Sequence, residues 1–287
     1  MRFTHVLFPF DYSDQCRHAA QSVQRLVQKT GAQLTILNIV GDPSANYPAS
    51  AAFVVPERER DEIVAASTRF LHEYASKAFE GCPANLVCQM GDPAREIIRF
   101  AAENQVDLIM MPTAGCGRFR RLLLGSVTAK VLDEVNCAVW TDAHIAENRG
   151  VPEPPRQSIL CAVDEKDESV SIMRGATDIA KMYSAEMHVI HAIPELDPSL
   201  KMLRPEWAHD FRESAKARIA QKRIQAGIDA EICVQEGAVS AVVRQAALAY
   251  NARLVVIGRG RLQGFLGRLR TNAYAIIRDS PCPVLSV

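Results

Sequence analysis

The 287-residue chain has no surplus of charge, since lysine plus arginine and aspartate plus glutamate each number 33. A protein that grips nucleic acid mainly by neutralising phosphates needs a basic excess, so no nucleic-acid partner is expected. Long apolar runs are missing too. None approaches the roughly 20 residues that span a bilayer. The opening stretch MRFTHVLFPFDYSD reaches Asp11 too soon for a secretory leader, and a cytoplasmic location without a membrane partner is expected. The eight cysteines include no CxxC pair. Reduced, mostly buried thiols are expected, rather than disulfides or zinc.

Catalytic signatures are also lacking. Neither GxGxxG nor GxxxxGK[ST] is completed, and neither HExxH nor GxSxG appears. His188 and His191 lie three apart in a strand-like run, so they point to opposite faces and cannot share a metal. The acidic group Asp164, Glu165, Asp167, Glu168 reads as a helix start rather than a metal cluster. No catalytic residue and no protein-held metal are expected.

What is present is a repeat. HVLFPFDYSD near the start has the same shape as SILCAVDEKDES near the middle. Asp11 and Asp164 stand 153 positions apart, and so do Asn38 and His191. CQMGDPAREIIRFAAENQVDLIMMP (88–112) pairs with VQEGAVSAVVRQAALAYNARLVVIG (234–258) at a spacing of 146. Each copy closes on a strand-like tail, NCAVWT and PCPVLSV. Between the copies, residues 143–157 carry three prolines and a glycine in a polar setting, which marks a linker. The expected domains are therefore 1–142 and 158–287.

Within a copy, β-branched runs alternate with segments of helical period. HVLFP, LTILNIV, ANLVCQM, VDLIMM and CAVW read as strands. Helices are expected over DQCRHAAQSVQRLVQKT, closed by Gly31, over the long stretch from Glu57, from Asp92-Pro93, and from Ser126. In the long helix Ile63, Phe70 and Tyr74 form the expected apolar face. Such alternation predicts an α/β fold: two tandem, doubly wound, Rossmann-like domains, each a five-stranded parallel sheet with helices on both faces. In such sheets a ligand lies beyond the carboxyl ends of the strands, where the winding reverses.

Asp11 follows the first strand, and the loop PTAGCGRFRRLLLGSVT (112–128) follows the fourth. If those strands are neighbours at the reversal, both features line one crevice. Gly125-Ser126 opens a helix, so free N–H groups and the positive end of the helix dipole face that crevice. Glycine at 115 and 125 lets backbone approach an anion. Arg118, Arg120 and Arg121 either reach phosphates or form a solvated loop face.

With these features the chain resembles the universal stress protein family in its tandem form, over nearly its whole length. The resemblance rests on the early strand-end Asp11, on GDPAREII before the third helix, and on Pro112-x2-Gly115-x9-Gly125-Ser126. The last stands where nucleotide-binding members carry Gly-x2-Gly-x9-Gly-[Ser/Thr]. Proline replaces the first glycine, which removes an N–H and leaves a carbonyl. The resemblance implies an adenine nucleotide alpha hydrolase-like fold. It implies that Asp11 hydrogen-bonds the adenine edge and the backbone of Ile39 brackets the base. Position 112 approaches the ribose, and Gly115, Gly125, Ser126 and Val127 wrap the phosphates.

The second copy keeps Asp164 and Gly258, but Arg261 stands at the second glycine position and Arg270-Thr271 replace Gly125-Ser126. It is expected to be a structural half with a degenerate site. The implied function is stress-related sensing or regulation by ATP or a related adenine nucleotide, with Mg²⁺ bridging the phosphates. The two halves are expected to pack as an intramolecular pseudo-dimer through 136–141 and 281–287, with further pairing of two chains. The alternatives are a slow ATP-hydrolysing enzyme of the same fold and a nucleotide-free scaffold.

Overall fold

The computed structural model describes residues 1–42, 55–113, 124–142, 158–259 and 271–287. The expected linker, together with Gly115, Arg118, Arg120, Arg121, Arg261 and Arg270, lies outside the described residues. The chain divides into two compact units, Arg2–Trp140 and a second made of Met1 with Thr141–Val287.

The amino-terminal half runs β1 (His5–Pro9), α1 (Asp14–Thr30), β2 (Gln33–Val40), α2 (Glu57–Ala78), β3 (Ala84–Met90), α3 (Pro93–Glu103), β4 (Leu108–Pro112), α4 (Ser126–Glu134) and β5 (Ala138–Asp142). Local chemistry sets the helix ends. Ser13 Oγ accepts the Cys16 N–H at the start of α1. Gly31 closes that helix in the left-handed region, φ 68°, and donates to the Val27 carbonyl at 2.8 Å. Asp92 caps α3 through the Arg95 N–H at 2.8 Å, and Pro93 occupies the first helical position. That hydrogen bond, helped by Lys130, holds the Asp92 carboxyl below its usual range.

The strand order is β3-β2-β1-β4-β5. β1 pairs in parallel with β2 on one side and β4 on the other. Its residues Val6–Pro9 and Leu108–Met111 of β4 are buried, as strands covered on both faces must be. Asp107 fastens the start of β1 by accepting from Thr4 N at 2.7 Å and His5 N at 3.1 Å. The winding therefore reverses between β1 and β4, so the condition for a crevice between Asp11 and Pro112 holds.

One expected face is corrected. Phe70 is 65% exposed, while Leu71 and Ala75 are the buried residues of α2. Each residue turns a helix by about 100°, so Phe70 lies roughly that far round from Leu71 and looks into solvent. Ile63 and Tyr74 sit half-buried at the margin.

The carboxy-terminal half runs β6 (Ser158–Ala162), α5 (Glu168–Tyr183), β7 (Glu186–Ile193), α6 (Pro198–Leu203), α7 (Pro205–Ala226), β8 (Glu231–Glu236), α8 (Val239–Ala249), β9 (Ala252–Ile257), α9 (Thr271–Asp279) and β10 (Val284–Ser286). Its order is β10-β9-β6-β7-β8, the same topology. β6 pairs in parallel with β7 and β9. The short α6 has no counterpart among the expected elements. Asp197 caps it at the Ser199 N–H, and Pro198 starts it.

All seven described cysteines are free thiols. Burial pushes Cys16, Cys161 and Cys282 up to about 12, which leaves them inert. Among the described residues no helix is long and apolar enough to cross a membrane.

Candidate functional site

The amino-terminal candidate site lies at the ends of three neighbouring strands, β2, β1 and β4. Pro9 pairs with Leu37, and two residues beyond that pair on each strand stand Asp11 and Ile39. Asp11 is exposed, and its Oδ1 accepts the Ser13 N–H at 3.0 Å. That turn delivers Ser13 to its cap position on α1, so Asp11 has a structural task as well as an outward-facing carboxylate. Ile39 is half-buried.

On the other side of β1, Pro112 ends β4 half-buried. Its carbonyl accepts from Thr128 Oγ1 at 3.1 Å. The Gly125 N–H donates to the Thr113 carbonyl at 2.8 Å. These two bonds close the neck of the loop and set Gly125, Ser126 and Val127 beside Pro112. The Gly125 amide is thereby committed to the chain, and the Pro112 carbonyl already accepts one hydrogen bond. The amides left for an anion are those of Ser126, Val127 and Thr128, which have no hydrogen-bond partner among the described residues.

The start of α4 differs from the other helix starts of this half. α1 opens with Asp14 and a serine cap, α2 with Glu57 and Glu59, and α3 with an aspartate cap and Glu96. α4 has no acidic residue in its first turn and no side-chain cap. Its positive dipole end is not neutralised by the sequence, and it opens at the strand reversal.

A buried polar anchor at the same strand ends is not evident from local sequence pattern. Asn38 is buried at the end of β2; its Nδ2 donates to the Phe10 carbonyl at 2.7 Å, and its Oδ1 accepts from Ser67 Oγ of α2 at 2.7 Å. Phe10 stacks on Tyr74 with centroids 4.4 Å apart and meets Tyr12 edge-on at 5.0 Å. The Tyr12 hydroxyl reaches the Ser67 carbonyl, and burial pushes its pKa up. The signal was available in the register, where a polar residue falls inside an apolar strand.

The carboxy-terminal half repeats part of this arrangement. Asp164 Oδ1 accepts from the Lys166 N–H at 3.0 Å, as Asp11 does from Ser13. His191, the counterpart of Asn38, directs Nδ1 to the Val163 carbonyl at 2.8 Å. Asp164, His191 and Gly258 line a crevice of about 620 Å³. So open space persists where the phosphate signature has been lost. Gly258 also has a packing contact to respect: a Cβ there would stand 2.3 Å from Cδ1 of Ile172, so that side chain would have to shift.

Among the described residues no group of three or more His, Cys, Asp or Glu side chains is placed to hold a metal. Of the acidic group near Asp164, Glu165 is engaged by Arg218 and Asp167 by Lys222, so these carboxylates pin α7.

A family model described as "Universal stress protein family" matches residues 2–141 and again 155–287. A universal stress protein of Mycobacterium tuberculosis is 22% identical over 277 residues, covering 94% of this chain and 90% of its own length. Universal stress protein YxiE of Bacillus subtilis is 29% identical over 143 residues, 48% of this chain and 97% of the relative. Among solved structures, a universal stress protein from Archaeoglobus fulgidus superposes with a TM-score of 0.68 at 19% identity, covering 99% of this chain and 96% of that one. At that identity the likeness speaks to the fold alone.

Proposed function

The chain belongs to the universal stress protein family, and from that premise we propose that its amino-terminal half binds ATP or a related adenine nucleotide. The observation that carries the reading is the start of α4, uncapped, without an acidic residue, and set beside the end of β4. Amides without a partner among the described residues, at a helix start that carries no acid, suit a polyphosphate. Asp11 stands at the far side of the same reversal, where its outward carboxylate oxygen can accept from an exocyclic amino group. Ile39 supplies backbone on the next strand. Pro112 lies between them and the helix. Gly115, Arg118 and Arg120 complete the set from outside the described residues.

Mg²⁺ would arrive on the nucleotide, held by its phosphate oxygens rather than by a protein cluster. The role is sensing or regulation without efficient turnover, in the cytoplasm, with two chains associating. Cys16, buried at the start of α1, is pushed up to about 12 by burial and is no nucleophile at neutral pH.

Calorimetry tests the reading. ATP titrated into the full chain gives saturable heat that Gly125→Trp abolishes. No heat with the unmodified protein overturns it, and leaves the nucleotide-free scaffold.

A further inference from the structure

The two halves differ where α2 and α7 meet the ends of their sheets. In the first half Phe10, Tyr12 and Tyr74 fill that space with stacked rings. At the repeat spacing the counterparts of Phe10 and Tyr12 are Val163 and Glu165, and Lys222 holds the place in α7 that Tyr74 holds in α2. Lys222 turns away to Asp167, with Nζ 3.0 Å from its Oδ1. A cavity of about 330 Å³ lies in this part of the half, lined by Glu165 and His191 among others. We propose that this cavity is a second small-molecule site, separate from the nucleotide crevice, and that it takes an organic ammonium with an apolar body.

The walls and the charges point to that class. Ile193, Pro194, Leu196 and Phe211 form the apolar side. Phe211 lines the cavity and is 51% exposed. Three carboxylates line the space, from Glu165, Glu195 and Glu236, against the guanidinium of Arg218. Arg218 is spent: its Nε and a terminal nitrogen both bond Glu165, at 2.8 and 2.7 Å. His191 Nε2 also faces Glu165, at 3.5 Å. Arg212 takes one oxygen of the largely buried Glu236 at 3.2 Å. Glu195 has no partner among the described residues, and its Oε1 lies beside Gly237 at the end of β8.

The net charge facing the cavity is therefore negative, and among the described residues that line it no cation is left over to receive an anion. An unpartnered carboxylate, that of Glu195, beside an exposed aromatic residue is a setting that favours an ammonium. The volume falls within the range of small-ligand sites, roughly 300–1,000 Å³.

The inference does not depend on nucleotide binding in the other half, so the test is run without nucleotide. Phenethylammonium, neutral 2-phenylethanol and anionic 3-phenylpropionate are titrated into the full chain by calorimetry. The expected result is saturable binding of the amine, roughly tenfold tighter than the alcohol, with the carboxylate weakest. Glu195→Gln should remove most of that preference, and Phe211→Ala should weaken amine and alcohol alike. Both residues are exposed, so the variants should fold, and circular dichroism verifies it. Absence of amine binding, equal binding of the alcohol, tighter binding of the carboxylate, or an undiminished preference in Glu195→Gln would each overturn the proposal.

Discussion

Placing a carboxylate at the first residue of α4 sets two consequences of one dipole against each other. Ser126 is exposed, so Ser126→Glu buries nothing. The first turn holds no acid and the helix has no side-chain cap, so the new charge meets an unopposed positive end. That interaction should stabilise the free protein by about 0.3–1 kcal/mol. For a unit of this size the melting temperature should rise by roughly 1–4 °C. Nucleotide binding should move the other way. A unit charge about 4 Å from a phosphate oxygen costs about 1 kcal/mol in water and about 4 kcal/mol where the effective dielectric constant is near 20. ATP affinity should therefore fall by roughly fivefold to several hundredfold. Ser126→Gln has similar bulk without the charge and isolates the steric part. Scanning fluorimetry without ligand gives the first quantity, and calorimetry with ATP gives the second. A variant that is more stable yet binds ATP as Ser126→Gln does would refute phosphate placement at α4.

Three further expectations concern the frame around the site. Asp92→Ala should cost about 1 kcal/mol by uncapping α3. Because the Asp92 carboxyl titrates below its unfolded value, its contribution is present above the unfolded pKa and is lost as pH falls through the folded one; a wild-type acid unfolding profile that Asp92→Asn leaves unchanged would contradict this. Gly258→Ala should lose about 1–3 kcal/mol by forcing a Cβ against Ile172, and Ile172→Val, which removes the clashing Cδ1, should restore part of it; unchanged stability in the ligand-free single variant would show that packing does not require the glycine. Steady-state phosphate release from ATP should stay at background, whereas release that disappears in Arg120→Ala would turn the binding protein into a slow hydrolase.

Much of the frame was legible because parallel strands buried on both faces leave unbroken apolar runs, and the chain writes them twice. The register of 153 aligns Asp11 with Asp164 and Asn38 with His191 from the residues alone. What local pattern does not show is which polar groups the fold itself consumes. The Gly125 amide and the Pro112 carbonyl look available in the sequence, yet Thr113 and Thr128, close only through the closed loop neck, take them. Phe70 reads as inward because it falls near the Ile63–Tyr74 line, but the sheet receives the Leu71–Ala75 stripe instead. Gly258 reads as a remnant of a binding signature; its packing partner Ile172 lies 86 positions earlier in the chain, beyond any local pattern. The cavity by Glu165 is invisible for a related reason, since its walls come from β7, α7 and β8, far apart in the chain.

The most direct test of nucleotide binding in the amino-terminal half is a crystal structure of the full chain grown with ATP. The account predicts a nucleotide whose base lies by Asp11 and Ile39 and whose phosphates meet the amides of Ser126 and Val127. Nucleotide seated solely in the carboxy-terminal crevice, or at neither half, would contradict it.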